Sequence, residues 1–319
     1  MKKTLTCFLF LLVLVGLGLT STAWAEKIRA PKQKIKPPTK TWAAAVEKNV
    51  PDNPTVEAPV RNVLVFSRIT GYNHLVTPHT DRMLEILGKK SGAFKPTVTR
   101  DIEMLTPEKL AGYDVLVLNN TCSKDPRRNL FLDVLEGDAK YKGLTKEERE
   151  AKAAMLEKSI LDFVRNGKGM VVIHGGISLL MKSAAFDELI GASFDYHPPA
   201  QPITITTVDP NHPLVAAFKG KEPFLHTDEP YCFKGSYTKK NFVPLLKMDA
   251  SKIKDSKKKR ITKDVRYVAW IKPYGKGRVF YGAPAHFPES LESPTLLRFY
   301  LDAIQYAAGD LKCEDRKNK

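Results

Sequence analysis

Seven histidines are spread along this 319-residue chain, and three of them follow closely on strand-like runs. The run Asn62 to Phe66 leads into Ser67-Arg68-Ile69-Thr70-Gly71-Tyr72-Asn73-His74, Met170 to Ile173 stops on His174-Gly175-Gly176, and Arg278 to Gly282 leads into Ala283-Pro284-Ala285-His286. Imidazole titrates near neutrality, so it can take or give a proton, or ligate a metal, without a perturbed environment. In an open α/β sheet, loops diverge at the carboxyl ends of the strands and leave a ligand crevice there. Three histidines at such ends therefore point to one site.

His174 is the candidate acid/base. Asp228 and Glu229, from His226-Thr227-Asp228-Glu229-Pro230-Tyr231, are its candidate partner or a second base. His74, Tyr72, Asn120, Tyr231 and His286 are candidates for binding substrate. Gly175 and Gly176 allow a tight turn that would bring helix amides to a ligand. His197-Pro198 and His212-Pro213 read as turn punctuation, His212 as structural. No His-Glu-x-x-His or similar spacing is present, so a divalent metal is allowed but required by no motif, and the cofactor stays open. Cys122 follows a strand and could face the same crevice, but a nucleophilic thiol needs its pKa lowered by a neighbour.

These residues have to be positioned by a sheet. From Arg61 onward, short β-rich runs alternate with helix-like segments, the rhythm of a doubly wound, mostly parallel sheet. Strands are expected at 62–66, 96–100, 114–118, 170–173, 203–208, 267–271 and 278–282; the nearly continuous apolar run of 114–118 implies burial on both faces. Helices are expected at 80–90, 145–166 and 295–308, the second opened by a Thr145/Glu148 capping box. Tyr274-Gly275-Lys276-Gly277 joins the last two strands as a hairpin.

The first 25 residues stand apart. Lys2 and Lys3, an apolar stretch from Leu5 to Leu19 and the small-x-small site Ala23-Trp24-Ala25 make a cleaved signal peptide, hence a secreted or periplasmic protein. The apolar stretch is shorter than the ~18–20 residues a spanning helix needs, so no integral membrane segment is expected after cleavage. Residues 26–58 read as a basic, Pro-rich extension with a short helix near Trp42 to Lys48, 59–311 as one α/β domain and 312–319 as a tail. The net charge of +16 falls to +14 once Lys2 and Lys3 are removed. Its densest cluster, around Lys257-Lys258-Lys259-Arg260 within 252–263, has no interleaved aromatic residues for base stacking. It reads as a solvated loop that touches anionic surfaces non-specifically, with no nucleic-acid partner. Cys122, Cys232 and Cys313 remain after cleavage; their pairing and the oligomeric state are open.

From about Arg61 to Gly309 the chain resembles the trehalose-utilisation, ThuA-like family. The matching pieces are Gly71-Tyr72-Asn73-His74, Gly167-Lys168-Gly169-Met170-Val171-Val172-Ile173-His174, Leu189 to Phe194 leading to His197-Pro198, Asp209 to His212-Pro213, Asp228-Glu229-Pro230-Tyr231, and Trp270 with Tyr274 to Tyr281. The resemblance implies the flavodoxin-like fold of class I glutamine amidotransferases, and a role in using trehalose and related disaccharides through 3-keto derivatives. The amidotransferase elbow Gly-x-Cys-x-Gly is here Val172-Ile173-His174-Gly175-Gly176, and its His-Pro-Glu is His286-Phe287-Pro288-Glu289, so a Cys-His-Glu triad cannot be assembled and glutaminase activity is not expected. Ala285 stands where a glycine usually precedes the last histidine, and 124–142 reads as an enlarged loop. The resulting expectation is a carbohydrate-active hydrolase, lyase or isomerase bound to a small sugar; a non-catalytic sugar-binding or cell-surface module and a metal-dependent hydrolase are the alternatives.

The export reading makes a direct prediction: N-terminal sequencing of the exported protein should return Glu26 as the first residue, and a chain still beginning at Met1 would refute it.

Overall fold

A computed structural model describes residues 35–255 and 266–315. The expected signal peptide, the first part of the basic extension and the cluster at 256–263 lie outside the described residues. Among those described, the chain runs α1 (Lys40–Asn49), β1 (Arg61–Phe66), α2 (Thr77–Ser91), β2 (Phe94–Thr99), α3 (Pro107–Leu110), β3 (Val115–Asn119), α4 (Leu130–Gly137), α5 (Lys146–Arg165), β4 (Gly169–Ile173) and α6 (Ala184–Ile190). It continues with β5 (Ser193–Tyr196), β6 (Gln201–Thr207), β7 (Phe224–Asp228), β8 (Cys232–Lys234), β9 (Val243–Met248), β10 (Arg266–Tyr274), β11 (Gly277–Gly282) and α7 (Pro294–Ala308). No described helix is long and apolar enough to cross a membrane.

Nine strands form one sheet in the order β2-β1-β3-β4-β11-β10-β9-β6-β7, and β5 pairs with β8 separately. The first five run parallel, in the flavodoxin order that places a crevice where the strand order reverses, between β1 and β3. β3 and β4 are buried along their whole length, with α7 on one face of the parallel half and α5 on the other. Their unbroken apolar runs follow from that double cover. The Thr145/Glu148 capping box opens α5 as its spacing predicts.

Beyond β11 the sheet turns antiparallel, starting with the β10–β11 hairpin whose ends are Tyr274 and Gly277. Sequence periodicity missed much of this extension: β5, β7, β8 and β9 are short and lack a sustained alternation. Nor is 124–142 simply a loop. Asn129 caps α4, which buries Leu130, Phe131, Val134 and Leu135 on one stripe. Eight residues are too few for the periodicity to stand out against the surrounding polar chain.

One detail of the extension matters for the site. β6 pairs with β9 only over Ile205–Thr207, whereas it pairs with β7 from Gln201 to Ile205. Among the described residues no further strand pairs with the Gln201/Asp228 end of this hairpin, and the turn that follows it brings Glu229 to the end of β4.

The segment before β1 is fastened to the body. Thr39 caps α1, Trp42 Nε1 donates to Pro288 O at 3.1 Å and Asn49 Nδ2 to Glu292 O at 2.7 Å. Further along, Gln305 on α7 accepts from Thr55 N at 2.8 Å and donates to Val56 O at 2.6 Å. Trp42 thus braces the turn that follows His286. Trp42→Ala should cost about 3 kcal/mol for the lost indole and the cavity it leaves, a fall in melting temperature of roughly 6–12 °C at about 2–4 °C per kcal/mol for a domain of this size. A calorimetric shift under 2 °C would mean that α1 is not structurally coupled to the body.

Candidate functional site

The end of β4 carries an uncommon backbone. His174 has φ +48°, and Asn120, at the end of the neighbouring β3, has φ +53°. Both lie in the left-handed region, which costs a non-glycine residue about 1–3 kcal/mol and persists only where its surroundings impose it. Here the surroundings are a polar chain. Gly175 N donates to Asn120 Oδ1 at 3.2 Å, Asn120 Nδ2 to Asn119 Oδ1 at 2.9 Å, and Asn119 Nδ2 to Asp81 Oδ1 at 2.8 Å on α2. Tyr281 on β11 donates its hydroxyl to His174 O at 3.4 Å. The five-residue elbow 172–176 thus keeps the strained strand-to-helix turn of a nucleophile position, with imidazole in the reacting group's place.

Two sequence expectations change at this turn. Gly175 does not offer its amide to a ligand, and both glycines are enclosed by close packing. The Gly175 amide is bound to Asn120, and a Cβ on Gly175 would lie 2.6 Å from His74 Cε1, while one on Gly176 would lie 2.3 Å from Leu118 O. The glycines are there for close packing, and the 3-10 turn they begin is buried. Asn120, expected to bind substrate, is fully buried with both ends of its amide engaged; it holds the elbow instead.

The imidazoles converge. His174 Nδ1 lies 2.7 Å from Ala283 O, and a carbonyl only accepts, so Nδ1 carries a proton and Nε2 points the other way. His174 Nε2 stands 3.1 Å from His286 Nδ1 and 3.3 Å from Glu229 Oε2, and His286 Nδ1 stands 3.1 Å from the same oxygen. Three donors from β4, the loop after β11 and the turn after β7 form a nearly equilateral triangle. His74 lies against it, its ring 5.0 Å from His174 and 5.5 Å from His286, and the ligand atoms of His74, His174, Glu229 and His286 all lie within 4.8 Å of one another.

Glu229 is the electrostatic centre. Burial works to raise its pKa, but the hydrogen bonds and charges of His174 and His286 outweigh that and hold the carboxyl well below the usual carboxylate range. For His174 burial opposes the charged form, and the bond to Glu229 with the nearby Asp228 and Glu229 charges overcomes it, so the pKa is raised. His74 goes the other way: burial first, then the neighbouring His174 and His286, keep it neutral.

Asp228, expected to be catalytic, is buried behind this group. Its Oδ2 accepts from His226 Nε2 at 2.9 Å and from the backbone N of His286 at 3.3 Å, and its Oδ1 accepts from Glu229 N at 2.8 Å. It ties the β7 turn to the β11 loop and acts through the residues it holds. Tyr231 packs its ring 4.3 Å from that of His174 and stacks on His197 at 5.6 Å. His197, read from sequence as turn punctuation, reaches Glu229 Oε1 at 3.4 Å through Nε2. Nothing in its local spacing marked it, since the contact depends on the two-stranded β5–β8 sheet. His212, by contrast, caps its own turn, accepting from Leu214 N at 3.3 Å. Exposure then orders the site from the outside inward. Tyr72 is 60% exposed, the His197 and His286 side chains are 33% and 13% exposed, and His174 is sealed at 0%.

With this geometry in hand, comparison with known proteins gives a consistent picture. The family model described as ThuA, trehalose utilisation, matches residues 62–307. Among solved structures, the chain is similar to thua-like proteins of Bacteroides uniformis (18% identity, TM-score 0.54, covering 80% of this chain and 94% of that one) and Parabacteroides merdae (17%, 0.54, 82% and 94%). A cytoplasmic protein of Salmonella typhimurium is similar at 14% identity and TM-score 0.50, over 81% of this chain and 100% of that one. At these identities the likeness is one of fold. No curated protein matches the chain.

Cys122 lies within this cluster, 3.5 Å from both His74 Nδ1 and Gly175 O. It is a free thiol, as are Cys232 and Cys313, and burial pushes it up to about 12. A thiol so shifted is a neutral donor to Gly175 O and a poor nucleophile. In the native protein at pH 8, iodoacetamide should modify Cys122 about a thousandfold more slowly than in guanidinium, since roughly three pH units of thiolate are lost, as followed by peptide mass spectrometry. Comparable rates would show an accessible, activated thiol.

Proposed function

The chain belongs to the ThuA trehalose-utilisation family, and on that premise we propose that it is an exported enzyme acting on trehalose-type disaccharides or their 3-keto derivatives, with His286, Glu229 and His174 as its working group. The observation that carries the reading is the triangle itself: one partly exposed imidazole, His286, backed at 3.1 Å by a carboxylate and at 3.1 Å by a second, sealed imidazole. That is the arrangement of a reacting base with an orienting partner behind it. Export rests on the character of residues 1–25.

The geometry redistributes the roles expected from sequence. His174 is sealed from solvent, so His286 meets the substrate, with His174 and Glu229 positioning it and sharing its charge. In a 3-keto sugar, His286 takes the proton from the carbon beside the carbonyl, and the C–H electron pair moves into an enolate with the charge on the carbonyl oxygen. The imidazolium so formed is stabilised by Glu229 and returns the proton to the product. Tyr72, exposed at the mouth with its ring 4.8 Å from His74, offers a flat apolar surface for a sugar ring. Glutamine hydrolysis has no place in this scheme, because the elbow carries His174 and the nearby thiol is neutral.

A panel of disaccharides and their 3-keto forms, assayed with wild type and variants, tests the reading. His286→Ala should lower turnover by about 10²–10⁴-fold, the usual contribution of a positioned acid/base, while His212→Ala stays within a few fold. Should His286→Ala remain fully active on the substrate found, the assignment of the working group fails.

A further inference from the structure

The same triangle has dimensions that suit more than a proton. Donors roughly 2.0–2.1 Å from a zinc-class ion in tetrahedral coordination stand about 3.3 Å from one another. The three edges here are 3.1, 3.1 and 3.3 Å. An ion bound to all three would sit just off the plane of the donors and keep one position open. Two imidazole nitrogens and one carboxylate oxygen is a donor set that catalytic zinc sites use.

We propose that His174 Nε2, His286 Nδ1 and Glu229 Oε2 form a binding site for one divalent ion of the zinc class. The inference rests on the reading of this triangle as the working group and changes what it carries, from a proton to an ion.

The atoms behind the donors support it independently of the distances. Metal-bound histidines usually donate their second ring N–H to a carbonyl or carboxylate, which fixes the tautomer and aims the other nitrogen at the ion. His174 does this through Nδ1 to Ala283 O at 2.7 Å. Glu229 Oε1 is held by His197 Nε2 at 3.4 Å, leaving Oε2 for the triangle. His286 has its backbone N–H anchored on Asp228 at 3.3 Å, and Asp228 is fixed in turn by His226 at 2.9 Å. His74 completes the set. One of its ring nitrogens lies within 4.8 Å of the other three donors, and its Nδ1 stands 3.5 Å from Cys122 Sγ. An oxygen bound at the open position, from water or from a sugar carbonyl, would be polarised by the ion with the His74 ring close by.

The test uses the untagged chain, stripped with chelator, dialysed and titrated with Zn²⁺ and Co²⁺ by calorimetry, with the Co²⁺ visible spectrum as a coordination readout. One equivalent per chain is expected, with a low-coordinate Co²⁺ spectrum. His286→Ala and Glu229→Gln should each weaken binding by roughly a hundredfold or more, and His212→Ala should leave it unchanged. Circular dichroism melts confirm that a variant is folded, and because the two variants alter different elements, either one suffices if the other fails to fold. Absence of stoichiometric binding in wild type, or unchanged affinity in a folded His286→Ala or Glu229→Gln, overturns the inference. Sugar turnover by chain that binds no ion overturns it while leaving the proposed function standing. Stoichiometric binding without turnover of any sugar does the reverse.

Discussion

A buried carboxylate is expensive unless its charge is answered, and in this protein the answer is three imidazoles around Glu229. The surrounding structure is arranged to make that possible. His174 must project from the end of a fully buried strand, so the residue that follows β4 is left-handed. His286 must come back across the sheet, so the loop after β11 is pinned by Asp228. His197 must arrive from a separate two-stranded sheet. If the carboxylate were removed, the facing nitrogens of His174 and His286, 3.1 Å apart, would have only one another.

The strain at the elbow is met by packing on every side. Two residues with positive φ, just past the ends of adjacent parallel strands, are joined through Asn120 to the Asn119–Asp81 pair, and Asp81 also bonds Ser67 just after β1 and Arg100 after β2. The crevice between β1 and β3 is therefore lined by a continuous polar chain that links the elbow to the start of α2. No side chain fits at Gly175 or Gly176 without displacing His74 or the β3 backbone. The elbow is thus enclosed by hydrogen bonds and close packing, the kind of support that holds reacting groups in position.

Much of this was legible in the residues alone, for identifiable reasons. The central parallel strands β3 and β4 are buried on both faces, and such strands announce themselves as runs like Val115 to Leu118. His74, His174 and His286 could be placed at one edge because a parallel sheet puts every strand's carboxyl end on the same side. The roles within the cluster were less legible. Exposure separates His286 from His174, and exposure depends on Tyr231 and the β7 turn folding over His174. His197 was read only as turn punctuation because its contact with Glu229 depends on the separate β5–β8 sheet, whose strands of four and three residues have little periodicity. Asn120 and Gly175 were recognised as important but bond to one another, since a sequence shows that a turn is tight but not which of its amides are already taken.

The hairpin that delivers Glu229 is joined to the rest of the sheet over only Ile205–Thr207, and the contacts it makes at the site span 55 residues to His174 and 57 to His286. Contacts of long sequence separation form late, because the chain between them must lose its freedom before they are rewarded. During synthesis His74 and His174 leave the ribosome before Glu229 exists, and His286 is among the last residues to follow. Strands β1 to β4 can thus be in place while His174 still lacks its counter-charge, whereas β11 and α7, which complete the parallel half, follow Glu229 in the chain. Completion of the core by β11 and α7 and delivery of His286 to the site thus depend on the same last stretch of chain, so the core and the charge pairing at Glu229 close together.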